Sequence, residues 1–318
     1  MCNLSDPIFH DETAAREHLE ALRWSDGIVC PYCGSTEAKD LGGKSMGEGW
    51  KHCPDCRTKF TVRVGTVYER SKVPLHKWLM ATQLMASSKK GMSAKQLERM
   101  LGVTYKTAWF MAHRIRESMR TESPEGMGGP DKIVEADETY IGKTKDQPKT
   151  RTDGTPFLRS KSGRGPSGKR AVVALVERGG SVRSFHVDKA NRDTVAAIMF
   201  QNVSRETAIM TDESKLYTRV GEQYASHEAV RHSVDEYVRG NVHTNTIEGF
   251  FSIFKRGMKG VYQHCKEKHL HRYLAEFDFR YNTREKLGVN DAERRDAIIK
   301  GGHGKRLTYR RIGEVQAS

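Results

Sequence analysis

The spacing of hydrophobic residues divides the chain into two regions. Residues 1–25 and 74–119 carry apolar side chains at the three- and four-residue intervals of amphipathic helices. After residue 130, short runs rich in Val, Ile and Ala, such as "RAVVALVER" and "TAIMTDE", are typical of buried strands. These strands are followed by alternating helical and strand patterns, which indicates an α/β domain with a mixed sheet.

The first region contains the pattern of a helix-turn-helix. Ser93 and Thr104 stand where each can cap the start of a helix, and Gly102 separates the two helices. A short helix, a Gly-containing turn and a longer basic helix predict a DNA-binding module, with an ordinary helical hairpin as the alternative. The second helix is expected to expose three basic residues to DNA: Lys106, Arg114 and Arg116.

Four of the six cysteines form two C-x2-C pairs. The pairs are "CPYC" (Cys30, Cys33) and "CPDC" (Cys53, Cys56), with nineteen residues between Cys33 and Cys53. This spacing predicts a tetrahedral zinc site, and four protein ligands leave no open position, so the zinc is expected to be structural. The alternating segment "TKFTVRVGTVY" that follows predicts strands of a small zinc ribbon.

The segment "VHTNTIEGFFSIFKRG" predicts an amphipathic helix near the end of the second region. Its apolar face consists of Ile247, Phe250, Phe251, Phe254 and Met258. Glu248 and Lys255 are about two turns apart and share a different face. A Glu and a Lys on one helix face are usually solvent-exposed charges, and a functional role for them would require further residues elsewhere in the chain.

Two aspartates occur at predicted strands. Asp137 lies inside "KIVEADETYIG", and Asp212 ends the apolar run "TAIMTDE". A carboxylate in such a place is costly unless it has a partner or a role. Each acid alone would be read as a surface or capping residue. Together with Glu248 they form three acids on separate elements, a set of oxygen ligands suited to Mg²⁺.

The charge of the chain favours a polyanionic partner. The net charge is +14 and the pI is about 9.5, which makes nucleic acid the first candidate. A long basic loop over residues 143–170 offers Lys161, Arg164 and Lys169 as DNA contacts, with a disordered insertion as the alternative. The N-terminal segment is too acidic and too weakly apolar for a signal peptide, so we expect a cytoplasmic, nucleoid-associated protein.

Taken together, these motifs resemble the bacterial insertion-sequence transposases of the DDE superfamily, in the branch with an N-terminal zinc ribbon. The resembling segments cover nearly all of residues 25–285 and are "CPYC…CPDC", "VEADETYIG", "MTDES", "HTNTIEGFFSIFKRG" and "HLHRYLAEFDFRYNTR". Thirty-five residues lie between Asp212 and Glu248, and Lys255 follows the Glu by seven, as in that superfamily.

The resemblance implies a ribonuclease H-like catalytic domain that binds two Mg²⁺ or Mn²⁺ ions. Asp137 would lie on its first strand, Asp212 after the fourth, and Glu248 on a later helix. Some relatives use Asn as the third metal-site residue, so Asn245 is an alternative to Glu248. Lys255 would contact DNA phosphate near the active site, unless it is only a solvated helix charge.

The function implied is that of a Mg-dependent polynucleotidyl transferase. It would bind the terminal inverted repeats of its element and the target DNA, cleave DNA strands and transfer them, as a homo-oligomer assembled on DNA. Two alternatives are open. One is a metal-dependent nuclease or resolvase of the same fold, and the other is a catalytically inactive zinc-ribbon regulator that binds DNA.

The same patterns predict the domain boundaries. We expect an N-terminal helix and zinc ribbon at 1–70, a helix-turn-helix at 71–120, a linker at 121–130, the catalytic domain at 131–290 and a basic tail at 291–318.

Overall fold

In a computed structural model, the chain folds into two compact units. Met1–Thr121 and Thr283–Ser318 form the first unit, and Glu122–Asn282 forms the second. The structure describes residues 4–42, 47–121, 125–142, 149–150, 153–157 and 168–308. Within these ranges, no helix is both long enough and apolar enough to span a membrane.

The first four helices of the first unit lie in the regions where the sequence predicts helices. They are α1 (Glu12–Arg23), α2 (Leu75–Ser87), α3 (Ala94–Leu101) and α4 (Tyr105–Ser118). The Ser93 side chain caps α3 by accepting from the Gln96 amide, and Thr104 caps α4 in the same way. Gly102 ends α3 at a φ of 59°, a left-handed conformation that glycine adopts without a Cβ clash. The predicted pair of helices and its turn are therefore confirmed.

The cysteine-rich segment forms a small antiparallel sheet. Its strands are β1 (Lys39–Asp40), β2 (Lys51–His52) and β3 (Lys59–Phe60), in the order β1-β2-β3. Phe60 is buried with two of the cysteines and meets the Trp24 ring edge-on. The prediction that strands continue past Phe60 is wrong. Residues 62–65 form turns, with Gly65 at a φ of 70° and a hydrogen bond from the Val64 amide to the Thr61 carbonyl.

The second unit is built on a mixed five-stranded sheet. Its elements are β4 (Ile133–Ile141), β5 (Lys149–Thr150), β6 (Pro156–Phe157), β7 (Arg170–Glu177), β8 (Val182–Val187), α5 (Arg192–Asn202), β9 (Ala208–Thr211), α6 (Thr218–Gly221), β10 (Ser226–Ala229), β11 (Val238–Arg239), β12 (Val242–His243), α7 (Asn245–Gly257) and α8 (Leu270–Asn282). The strand order is β10-β9-β4-β7-β8. The β10–β9 and β9–β4 pairs are parallel, whereas β4–β7 and β7–β8 are antiparallel. The predicted mixed sheet is confirmed.

Hydrophobic residues cover both faces of this sheet. On one face, Val134 and Ala136 of β4 pack with residues of α5. On the other face, α7 and α8 pack against β7, and the predicted apolar stripe of α7 is buried throughout. Burial of each such side chain contributes about 1.5–3 kcal/mol. Because side chains alternate along a strand, Glu135 and Asp137 point to the opposite face from Val134 and Ala136, the face that α7 covers.

The described part of the predicted basic tail, residues 291–308, is not a tail. It forms α9 (Asp291–Lys300), whose start is fixed by a capping box between Asn290 and Glu293. Ile298 and Ile299 are fully buried, and the Arg294 guanidinium donates to the Ala86 carbonyl at the end of α2. The second unit therefore ends at Asn282, eight residues before the predicted boundary.

The predicted linker also ends earlier than expected. Met127 is buried, and its amide donates to the Asn202 carbonyl at 2.8 Å. Gly128 has a φ of 78°, and a Cβ atom there would lie 2.1 Å from the hydroxyl oxygen of Thr207. Residues 127–129 thus belong to the second unit, and Gly128 is required for this close approach.

Four short 3-10 helices and one π-helical turn complete the described structure. They are Pro7–Phe9, His232–Val234, Glu267–His269 and Glu285–Leu287, with the π turn at Met258–Tyr262.

Candidate active site

The two predicted aspartates lie at the same level on adjacent parallel strands. In the β4–β9 pair, Glu135 is opposite Met210. Asp137 is two residues beyond Glu135, and Asp212 is two residues beyond Met210, directly after the end of β9. Because the strands run parallel, both carboxylates are carried to the same part of the sheet.

The electrostatics show that the three acids influence one another. Burial, and after it the charges of Asp212, Glu138 and Glu248, raise the pKa of Asp137 to about 8. Burial also raises the pKa of Asp212, and Glu213 and Glu248 add to that effect. Carboxylates that repel one another in a half-buried site are stabilised when a cation binds between them.

Glu248 lies in the first turn of α7 and is the most accessible of the three acids. Its side chain is 46% exposed. The Thr244 hydroxyl donates to Oε1 of Glu248 at 2.9 Å, and Nε2 of His232 lies 3.5 Å from the same oxygen. Asn245, the alternative third residue, is the exposed first residue of α7.

Two further residues that interact with these acids could not be identified from the sequence. His232 contacts Glu248 and also lowers the pKa of Asp212 by its charge. Glu138 accepts a 2.9 Å hydrogen bond from the buried hydroxyl of Tyr217, and burial raises its pKa. Glu138 stood beside Asp137 in a motif already singled out, whereas His232 lies in a segment with no periodic pattern.

Lys255 is half-buried, about two turns beyond Glu248 on α7. Its ammonium nitrogen lies 5.9 Å from the centroid of the Phe251 ring, one turn earlier. This distance is at the outer limit of a cation–π contact.

The four cysteines of the C-x2-C pairs come together as the spacing predicts. Their sulfur atoms all lie within 4.8 Å of one another. The Cys30–Cys56 and Cys33–Cys53 sulfur distances are both 3.6 Å. Zn–S bonds of about 2.3 Å in a tetrahedron would place sulfurs about 3.8 Å apart, so this set fits a single zinc ion. With four protein ligands, that zinc would be structural.

The predicted basic surface of α4 is correct only at the start of the helix. Lys106 is exposed, but Arg114 and Arg116 are buried, with 7% and 2% exposure. Arg114 donates instead to the backbone carbonyls of Val67 and Glu69. The expected exposure of Arg114 and Arg116 is therefore wrong, because the last two turns of α4 pack inside the first unit.

The basic loop is only partly described. Lys169 is half-buried just before β7. Lys161 and Arg164 lie outside the described residues. The described part includes the small β5–β6 hairpin, which the sequence did not predict.

Comparison with known families finds two matching domains. An ISXO2-like transposase domain matches residues 128–282, and a transposase zinc-ribbon domain matches residues 10–59. The first match ends at the residue where the second compact unit ends. The chain is also 30% identical over 289 residues to an uncharacterized protein in transposable element ISH50 of Halobacterium salinarum. That match covers 88% of this chain and 94% of the relative.

Among solved structures, similarity is weak. A simian T-cell lymphotropic virus intasome in complex with PP2A regulatory subunit B56 gamma matches at 14% identity and a TM-score of 0.28, over 61% of this chain and 66% of that chain. The Mos1 strand transfer complex matches at 15% identity and a TM-score of 0.27, over 70% of this chain and 78% of that chain. Similarity at these TM-scores supports no conclusion about this chain.

The family assignment rests on the two domain matches and on the ISH50 relative, which is aligned over almost its whole length. The chain belongs to the ISXO2-like family of DNA transposases, with an N-terminal transposase zinc ribbon.

Proposed function

We propose that this transposase cleaves DNA at the ends of its insertion sequence and joins the freed 3′-OH to target DNA, in a reaction that depends on divalent metal ions. The observation that supports this most directly is the mutual effect of three carboxylates. Asp212 and Glu248 both raise the pKa of Asp137, and Asp137 and Asp212 stand at the same level of neighbouring strands. The fold would then be ribonuclease H-like.

The donor set fits Mg²⁺ or Mn²⁺. Asp137, Asp212 and Glu248 offer carboxylate oxygens, which these hard cations prefer. When bound, such ions would supply activation of the attacking oxygen and charge stabilisation of the leaving oxygen. Asn245 is the alternative third ligand, but an amide offers only a dipole where a carboxylate neutralises charge.

The protein itself would hold and orient the carboxylates and the DNA. Asp137 lies on the central strand, where burial and the neighbouring carboxylates raise its pKa to about 8, so a cation bound there would favour its ionised form. Water would attack the phosphodiester at the element end, and the 3′-OH so released would attack the target strand. Neither step requires a covalent bond to a side chain. Lys255 would contact DNA phosphate near the acids.

DNA recognition is divided between two parts of the chain. The zinc ribbon and helix-turn-helix, within residues 25–120, would read the terminal inverted repeats, and the loop at 143–170 would hold DNA less selectively through its charge. At the start of α4, Lys106 is exposed and Tyr105 is 45% exposed. Because an element has two ends, we expect a homo-oligomer on DNA, in the cytoplasm and associated with the nucleoid.

A DNA assay separates this proposal from its alternatives. The inverted repeats that flank the gene would supply the labelled substrate, and a supercoiled plasmid would serve as target. A transposase cleaves and joins, a nuclease only cleaves, and a regulator only binds. A fragment of residues 122–282 that selects the repeats as well as the full chain does would overturn the division of DNA recognition.

A further inference from the structure

A completely buried carboxylate joins the central strand to the helix that carries Glu248. Glu135 of β4 is 0% exposed. Its Oε1 accepts from Nε of Arg178 at 2.6 Å and from the Thr246 hydroxyl at 2.9 Å. Its Oε2 accepts from the Ile247 amide at 2.9 Å. Thr246 and Ile247 belong to the first turn of α7, so one side chain fixes the start of that helix.

Arg178 extends this connection to the strand that leads into α7. It follows β7 directly, and its guanidinium donates to the backbone carbonyls of Asn241 at 2.8 Å and His243 at 2.7 Å. Nδ1 of His243 also accepts from Arg178 at 3.0 Å. We refer to Glu135, Arg178, Thr246 and the Ile247 amide as the Glu135 cluster.

Attachment of α7 to the sheet does not require this cluster. Ile247, Phe250 and Phe254 already bury their side chains against the sheet. A buried ion pair costs several kcal/mol in desolvation and is often replaceable by apolar residues without loss of stability. The cluster instead fixes the position and orientation of the first turn of α7, because hydrogen bonds to one carboxylate limit both sliding and rotation of the helix start.

The residues that the cluster connects are the neighbours of the proposed catalytic acids. Asp137 is two residues after Glu135 on the same face of β4, and Glu248 directly follows Ile247. We propose that Glu135 is a positioning residue that sets the separation between Asp137 and Glu248. This inference rests on the proposed role of Glu248. A displacement of about 1 Å in such a site can cost about 10²-fold in rate.

A matched set of variants tests the proposal in the full-length protein. Thr246→Val removes one hydroxyl from the cluster at constant shape, and Thr246→Ser retains it. Ser184→Ala is the control, since it removes a hydroxyl that donates to a different carboxylate, Asp278, at 2.6 Å. We expect strand-cleavage rates about 10-fold lower for Thr246→Val and about 100-fold lower for Glu135→Gln. Thr246→Ser and Ser184→Ala should remain within about twofold of wild type.

Two measurements without DNA separate this proposal from the proposed function. Amide hydrogen exchange over residues 244–251 should be at least about tenfold faster in Thr246→Val, with no change in Thr246→Ser or Ser184→Ala. Mn²⁺ binding, measured by calorimetry, should weaken about tenfold in Glu135→Gln. If wild type showed no cleavage, the proposed function would fail while the exchange result still decided the role of the cluster. Unchanged exchange and Mn²⁺ affinity in the cluster variants would overturn the positioning role.

Discussion

The hydroxyl of Thr244 donates a 2.9 Å hydrogen bond to Oε1 of Glu248, one turn further along the chain. Thr244 is 1% exposed, whereas the Glu248 side chain is 46% exposed. A buried donor therefore restricts the rotamer of an acid that is otherwise open to solvent.

Removal of this hydroxyl should lower activity without removing the acid. A hydrogen bond to a charged group contributes about 1.5–3 kcal/mol, so Thr244→Val should slow metal-dependent cleavage about tenfold or more. Thr244→Ser should retain most of the rate. Single-turnover cleavage of element-end DNA is the measurement, and equal rates for the Val and Ser variants would show that the bond does not matter.

The zinc ribbon should contain one zinc ion per chain. This prediction rests on the distances between the four cysteine sulfurs, which fit a tetrahedral site. Cys53→Ser removes a buried ligand and should release the zinc and unfold the ribbon, because such sites supply folding free energy. Metal analysis of the purified variant checks this. Full zinc retention would mean that Cys53 is not a ligand, and Cys265→Ser is the control that should keep the metal.

Substitutions of Lys106 and Arg114 should have different effects, on DNA binding and on stability respectively, although both are basic residues of α4. Lys106→Gln should weaken binding to element-end DNA severalfold and leave the melting temperature unchanged, because the side chain is exposed. Arg114→Gln should lower the melting temperature, because it leaves the buried carbonyl of Val67 and the part-buried carbonyl of Glu69 without this donor, at about 1–3 kcal/mol. DNA-binding titrations and thermal melts of both variants test these two predictions. Weaker binding by Arg114→Gln at unchanged stability would restore Arg114 as a DNA contact.

The stability of the second unit should depend on pH through Asp278. Burial raises the pKa of Asp278 to about 7, despite hydrogen bonds from the amide and hydroxyl of Ser184. Since the folded protein binds this proton more tightly than the unfolded chain, the carboxyl costs nothing well below about pH 4 and progressively destabilises the fold as the pH rises from there toward 7.

Asp278→Asn removes this titration while keeping the shape of the side chain. Between pH 5 and pH 8, the free energy of unfolding of the variant should gain about 3 kcal/mol relative to wild type. Denaturant unfolding of both proteins at the two pH values measures the difference. A difference that stays constant with pH would show that Asp278 ionises normally in the folded protein.

Local features of this fold could be predicted because local sequence determines them. Helix caps at Ser93 and Thr104, the break at Gly102 and the strand that contains Asp137 depend on residues within a few positions. Burial of Arg114 could not be predicted in the same way. One of its partners is the carbonyl of Leu307, almost two hundred residues later, in a segment whose composition predicted a tail.

The proposed catalytic acids could likewise be predicted from local sequence, whereas the residues that support them could not. Asp137 and Glu248 lie in motifs with a distinctive spacing, which made them candidates. Glu135 has a role only because its strand meets α7 more than a hundred residues later. The sequence does contain one signal for Glu135, a charged residue within an apolar strand. Asp137 lies in the same strand and gives the same signal, so the pattern alone does not distinguish their roles. His232 offered no signal at all, because its contact with Glu248 arises from the folded loop.

The central claim is that Glu248 completes a metal-dependent catalytic site with Asp137 and Asp212. The most direct test is cleavage and joining of labelled element-end DNA in Mg²⁺ by wild type, Glu248→Gln and Asn245→Ala, each checked for folding and DNA binding. We predict that Glu248→Gln binds DNA but neither cleaves nor joins it, while Asn245→Ala keeps measurable turnover. An active Glu248→Gln beside an inactive Asn245→Ala would contradict the account and make Asn245 the third metal ligand.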